Sequence, residues 1–217
     1  MSTEFVSADF NSSIKGIDVS HFQENINWTL VNSSGYRFAF VKATEGVDYN
    51  DTKFVRNMEN GSAAGMLMGA YHFATPYTDG VNDAKEEACD FVDVIRPYLR
   101  RGFLRPALDL EKGNERTTEE LSAWVHEFME TVRNKTGIIP IIYVNVDYAT
   151  NELNSSVNIY DLWIADYSRN KIRGPRTGVW EGNWSFWQYT DRGSVHGIEG
   201  DVDLDVFNGT MEDLNRS

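Results

Sequence analysis

Phe103-Leu-Arg-Pro-Ala-Leu-Asp-Leu-Glu111 is an apolar run that ends in two acids. A β-strand sends alternate side chains to opposite faces, so Asp109 and Glu111 share a face, roughly 6–7 Å apart at Cα. Two carboxyls that close repel when both are charged, which raises one pKa and leaves the other group ionised. A protonated acid beside a charged carboxylate is the pair that glycosidic bond cleavage requires. The plain alternative is a solvated strand end that turns at Lys112-Gly113.

Working outward, residues 14–19, 38–42, 67–73, 104–110 and 138–144 read as strands rich in β-branched and aromatic side chains. Several are apolar at consecutive positions, as strands buried on both faces are. Amphipathic stretches lie between them. Ala84, Ala88, Phe91, Val92, Ile95 and Leu99 recur at helical spacing, as do Leu121, Trp124, Val125, Phe128 and Val132. Thr117 and Glu120 form a capping box for the second of these helices, and Gly137 is its stop. From about residue 155 the pattern changes to short strands, 162–165, 185–189 and 202–206, joined by loops. Five β-then-α units followed by three strands predict an α/β fold, an irregular TIM-like (β/α)5β3 barrel in a single domain. Chemistry in such barrels sits at the C-terminal strand ends. Those ends carry Asp18, Lys42 with Glu45, Tyr71-His72, Asp109 with Glu111, Tyr143, Asp166-Tyr167 and Gln188-Tyr189, and the last strand contains Asp203.

Composition narrows the partners. A chain of 217 residues that is 41% hydrophobic has enough apolar material for one large core. Its formal net charge of −13 argues against a nucleic-acid surface, which needs clustered Lys and Arg. Cys89 is the single cysteine, so no intrachain disulfide forms. His21, His72, His126 and His196 lie far apart without metal-ligand spacing. No run is long or apolar enough to span a membrane, and residues 1–13 lack the apolar centre of a signal peptide. The expectation is a monomer without a cofactor or membrane anchor.

The ordered motifs resemble glycoside hydrolase family 25, the Chalaropsis-type lysozymes, over about residues 14 to 207. They are Gly16-Ile-Asp-Val-Ser-His-Phe-Gln23, Phe38-Ala-Phe-Val-Lys-Ala-Thr-Glu-Gly46, Gly69-Ala-Tyr-His-Phe73, Pro106-Ala-Leu-Asp-Leu-Glu111 and Trp187-Gln-Tyr189, then Val202-Asp-Leu204. Phe22 stands where Trp is usual, and Asp205 where Asn is frequent. The resemblance implies a catalytic domain over 14–217 preceded by an N-terminal extension over 1–13. It implies hydrolysis of the β-1,4 bond between N-acetylmuramic acid and N-acetylglucosamine in bacterial peptidoglycan, and a secreted or phage-released enzyme acting at the cell wall.

Carried over by motif, Glu111 is the general acid/base, with Asp109, Asp18 and Asp203 as the other acidic members of the site. Asp109 remains charged against the developing oxocarbenium ion, and the substrate's acetamido group assists retention. Direct carboxylate attack and inversion by water are the rival routes. Tyr71, Tyr143, Tyr167, Trp187 and Tyr189 are candidates for sugar contact, with barrel packing as the alternative for each. His72 reads as a hydrogen-bonded wall residue, and Lys42 with Glu45 as an ion pair. The alternation of Asp201, Asp203 and Asp205 also fits an oxygen cluster for calcium, which the family does not need. The competing functions are a binding module that keeps the groove without cleaving and a chitinase-like barrel.

Overall fold

A computed structural model describes residues 13–76, 81–113, 115–168 and 174–216. Apart from Ser13, the expected N-terminal extension lies outside the described residues. The strands are β1 (Ile14–Val19), β2 (Tyr36–Glu45), β3 (Tyr49–Asn50), β4 (Leu67–Phe73), β5 (Ala107–Asp109), β6 (Ile141–Asn145), β7 (Leu162–Ala165), β8 (Phe186–Gly193) and β9 (Val202–Phe207). The helices are α1 (Trp28–Ser33), α2 (Phe54–Ala63), α3 (Asn82–Ile95), α4 (Thr118–Thr136) and α5 (Met211–Leu214). Strand order β1-β9-β8-β7-β6-β5-β4-β2 closes through a β1–β2 pairing, and β3 hangs on β2 as a short hairpin arm. The result is the expected TIM-like α/β barrel.

Six of the eight barrel pairings are parallel, while β9 runs antiparallel to both β8 and β1. This direction refines the expectation about strand ends. Asp203 reaches the same rim as Asp18 because it lies near the start of a reversed strand, and it pairs there with Asp18.

Other boundaries moved for local reasons. The expected strand 104–110 shortens to β5 because Pro106 has no N–H to offer a ladder. Leu104 still donates its N–H to Met68 O at 2.9 Å. Helix α3 ends at Ile95, before Pro97, so Leu99 lies beyond it. The fifth connection is not a regular helix but a π-helical turn, Tyr148–Glu152, followed by a 3-10 turn, Ser155–Ile159. Helix α4 begins with the full Thr117–Glu120 capping box and stops at Gly137, whose φ of 77° favours glycine.

Two apolar layers hold the barrel. Outside, helices pack on the strands through Phe91, Trp124, Val125, Phe128 and Trp187. Inside, alternate strand positions send Phe38, Phe40, Tyr71, Tyr143, Trp163, Phe186 and Phe207 to the axis. Phe40 stacks on Trp163 at 4.5 Å, and Phe38 meets Phe186 edge-on at 5.2 Å. Such pairs add about 0.5–1.5 kcal/mol each beyond burial. Gly16 makes room for this filling, since a Cβ there would lie 2.2 Å from the Phe38 ring. The aromatic plug closes the barrel below the rim, so the rim is a cleft with a floor.

Candidate active site

The same alternation that fills the axis lifts polar side chains onto the rim. Asp18 of β1, Lys42 of β2, Tyr71 of β4, Asp109 of β5, Tyr143 of β6, Gln188 of β8 and Asp203 of β9 line one cleft of about 220 Å³. Ser20, Phe22, Phe73, Glu111, Trp163 and Tyr167 also line it. Glu111 lies past the end of β5, yet the Leu110 N–H still donates to Tyr143 O at 3.0 Å, which keeps the chain extended there. Asp109 and Glu111 therefore face the same cleft from different depths. Asp109 is buried, and its Oδ1 has no hydrogen-bond partner; Glu111 is exposed at the lip.

Gln188 organises the opposite wall. Its Nε2 donates to Asp18 Oδ2 at 2.7 Å. Its Oε1 accepts from the Tyr143 hydroxyl at 2.9 Å and from the Tyr167 hydroxyl at 2.5 Å. Beneath them, Trp163 Nε1 donates to Asp205 Oδ1 at 2.8 Å, while Asp205 Oδ2 is buried without a partner. Lys42 crosses the other side. Its Nζ sits 2.6 Å from Glu45 Oε2 and 4.5 Å from the Phe73 ring centre.

Crowding and burial set the charges. Burial raises the Asp18 pKa well above the carboxylate range, and Asp203 and Asp205 add repulsion. Burial also raises Asp109, with Glu111 repelling it and Lys42 opposing the rise. Glu111 is raised by the loss of hydration between the cleft walls although one side stays open. Its hydrogen bonds to Asp109 and Tyr143 and the charges of Lys42 and Lys112 counter that rise. The two acids titrate as a unit that holds a proton above the ordinary carboxylate range. Burial brings Asp203 to about 6 and Asp205 to about 7. Tyr71, Tyr143 and Tyr167 are pushed up by burial and by nearby carboxylates, so they stay O–H donors.

The structure thus gathers Asp18, Asp109, Glu111, Asp203, Tyr71, Tyr143 and Tyr167 in one cleft. It does not bring Trp187 or Tyr189 there. Trp187 is buried in the outer layer and donates its Nε1 to Asp166 O at 3.0 Å, with Tyr189 packed beside it. Two residues apart on β8, they share the outward face, and Gln188 between them points inward. Alternation in the sequence puts Phe186 and Gln188 on one face and Trp187 and Tyr189 on the other, without saying which face turns inward. The sequence put Gln188 at a strand end without a role in the site, and it gave no role there to Trp163. His72 is a wall residue behind the cleft, bound to Thr44 Oγ1 and to Glu87 Oε2 at 2.7 Å each. Asp166 is likewise structural. Against the opposing effect of burial, Arg176 and Ser168 hold its pKa down to about 2. A groove of about 1180 Å³ beside the rim is acidic, but its buried carboxylate, Glu87, is satisfied by His72 and Thr75.

The sequence matches the family described as "Glycosyl hydrolases family 25" over residues 17–198. It is 37% identical to the uncharacterized protein YegX of Escherichia coli K12 over 206 residues, 93% of this chain and 72% of that protein. It is 32% identical to Lysozyme M1 of Streptomyces globisporus over 213 residues, 94% of this chain and 70% of that one. The crystal structure of the bacterial lysozyme from Streptomyces coelicolor aligns with a TM-score of 0.82 at 30% identity, covering 94% of this chain and 96% of its own. With the match spanning most of the chain and the acid pair set in the rim of a closed barrel, this protein belongs to glycosyl hydrolase family 25.

Proposed function

We propose that the protein is a lysozyme, a muramidase that hydrolyses the β-1,4 bond between N-acetylmuramic acid and N-acetylglucosamine in bacterial peptidoglycan. The observation that carries this reading is the pair of unequal acids. Glu111 stands at the open lip, where a glycosidic oxygen arrives, and Asp109 lies sunk in the floor with one unpartnered oxygen. Glu111 donates its proton to the leaving oxygen as the bond to the anomeric carbon breaks. The acetamido oxygen of the same sugar attacks that carbon, and the free Asp109 oxygen accepts the acetamido N–H and opposes the developing positive charge. The Glu111 carboxylate then takes a proton from the water that opens the ring intermediate, which retains the anomeric configuration.

Asp18 and Asp203 hold the saccharide and tune the acid pair. Tyr71 contributes a hydroxyl that does not ionise at working pH, and Tyr143 and Tyr167, whose protons go to Gln188, offer hydroxyl oxygens to the sugar. The partner is the glycan strand of the wall, reached outside the cytoplasmic membrane by a monomer. A surface with a net charge of −13 leaves recognition to local sugar contacts rather than to attraction by anionic wall polymers.

The test is turbidity clearing of purified peptidoglycan by wild type and Glu111→Gln, with mass analysis of fragments and proton NMR of the newly released anomer. The expected result is reducing-end muramic acid in the β configuration from wild type only. Reducing-end N-acetylglucosamine rejects the muramidase assignment, equal clearing by both proteins rejects Glu111, and a first-formed α anomer rejects retention.

A further inference from the structure

Phe22 is 77% exposed, although it belongs to the opening turn that follows Asp18 and lines the catalytic cleft. A phenyl ring left in water gives up the free energy that burial provides. The turn that carries it is nevertheless held on every side. Ser20 Oγ accepts the Phe22 N–H at 3.2 Å, and Gln23 Oε1 accepts the Ser20 N–H at 2.9 Å. Buried Asp51 accepts the His21 N–H at 3.0 Å and lies 2.8 Å from its Nδ1. Gln23 Nε2 reaches across to Asp201 O at 3.3 Å, which ties the turn to the approach to β9. The His21 ring then backs Phe22 at 4.2 Å between centres, tilted by 32°. Tyr167 is the other exposed ring among the described cleft residues.

An exposed aromatic on a rigid mount beside a reaction cleft fits a ligand that is flat and apolar on one face and polar at its edge. A pyranose is such a ligand. Its C–H face covers the ring while its hydroxyls stay in water, and a mount fixed in advance lowers the ordering cost of binding.

We propose that Phe22 is the stacking platform of a sugar subsite on the β1 side of the cleft. This rests on the reading of the cleft as a glycan site. The subsite takes one N-acetylhexosamine unit of the strand, held by ring contact, and it selects for polymer over short fragments. A side chain without a flat face does not replace it.

The experiment titrates the N-acetylglucosamine pentamer and solubilised, uncross-linked peptidoglycan strands into Glu111→Gln by calorimetry. The same titration is made with Phe22→Ala, Phe22→Leu and Phe22→Trp added to that background, and KM is measured in the catalytic parent. We expect Ala and Leu to weaken strand binding and raise KM by about tenfold, and Trp to retain both. Thermal midpoints should stay level, since the ring is mostly in water. Unchanged affinity in Phe22→Ala, or full retention in Phe22→Leu, overturns the stacking platform even if wild type cleaves peptidoglycan. Weakened binding with no cleavage by wild type keeps the platform and rejects the muramidase reading. Failure of Glu111→Gln to bind either probe, together with a KM unchanged by Phe22→Ala in the catalytic parent, rejects the platform.

Discussion

Gln188 Nε2 donates to Asp18 Oδ2 at 2.7 Å across 170 residues of sequence, and this contact joins β1 to β8 across the barrel mouth. Gln188 also holds the hydroxyls of Tyr143 and Tyr167 through its Oε1. One neutral amide therefore supplies a donor to a crowded carboxyl and an acceptor to two phenols. Gln188→Leu removes both, leaving buried polar groups unpaired at about 1–3 kcal/mol each. Denaturant unfolding should show that loss, and kcat/KM on peptidoglycan should fall by about 10- to 100-fold. Wild-type activity in the variant would remove Gln188 from the site.

The two acids of the pair should behave differently from the rest of the rim. Glu111→Gln cannot donate a proton, and its kcat should drop by about 10²- to 10⁴-fold with little change in strand binding. Asp109→Asn keeps the shape but cannot ionise, and its loss should also fall on kcat rather than KM. A variant of either kind that loses only affinity would assign that carboxyl to binding instead.

Lys42 lowers the pKa of both Asp109 and Glu111 from its position between Glu45 and the Phe73 ring. Lys42→Met removes that charge, so both carboxyls hold their protons to higher pH. Both limbs of the pH profile of kcat/KM should then move to higher pH. A downward or absent displacement contradicts this role.

Asp205 is fully buried, and burial pushes its pKa to about 7. The folded protein thus keeps a proton that the unfolded chain releases near the ordinary carboxylate value. Its contribution to stability is complete below about pH 4 and is lost as pH rises through about 7. Asp205→Asn never ionises and still offers an oxygen to Trp163 Nε1. Its unfolding free energy should match wild type near pH 4 and exceed it above pH 7, with a gap on the order of a few kcal/mol. A gap that does not change with pH would show that Asp205 does not titrate in this range.

Behind the cleft, Glu87 is 1% exposed and binds His72 and Thr75, and His72 in turn binds Thr44. Glu87→Leu breaks this link between β2, β4 and α3. It should cost about 3 kcal/mol by denaturant unfolding, because partners are left buried and unpaired. A loss below about 1 kcal/mol would mean that another group or water replaces the carboxylate.

Much of the architecture follows from local pattern. The runs at residues 14–19, 67–73 and 162–165 became strands with those bounds, because apolar and β-branched sequences bounded by polar turns have few other ways to bury themselves. The capping box at Thr117 and the stop at Gly137 act within a few residues and were legible for that reason. Pro106 shortened β5 and Pro97 ended α3 by the same local chemistry, which the hydrophobic pattern had outweighed in the reading.

The sequence by itself determined the strands, the caps, the family motifs and the Asp109–Glu111 pair, all of which depend on neighbours in the chain. Only the tertiary structure decided which face of β8 turns inward, and so chose Gln188 over Trp187 and Tyr189. It alone reversed β9 and set Asp203 against Asp18. It also decided the charge state of the cleft. A carboxyl's pKa depends on how much water surrounds it and which charges stand nearby, and both are fixed only when the barrel closes.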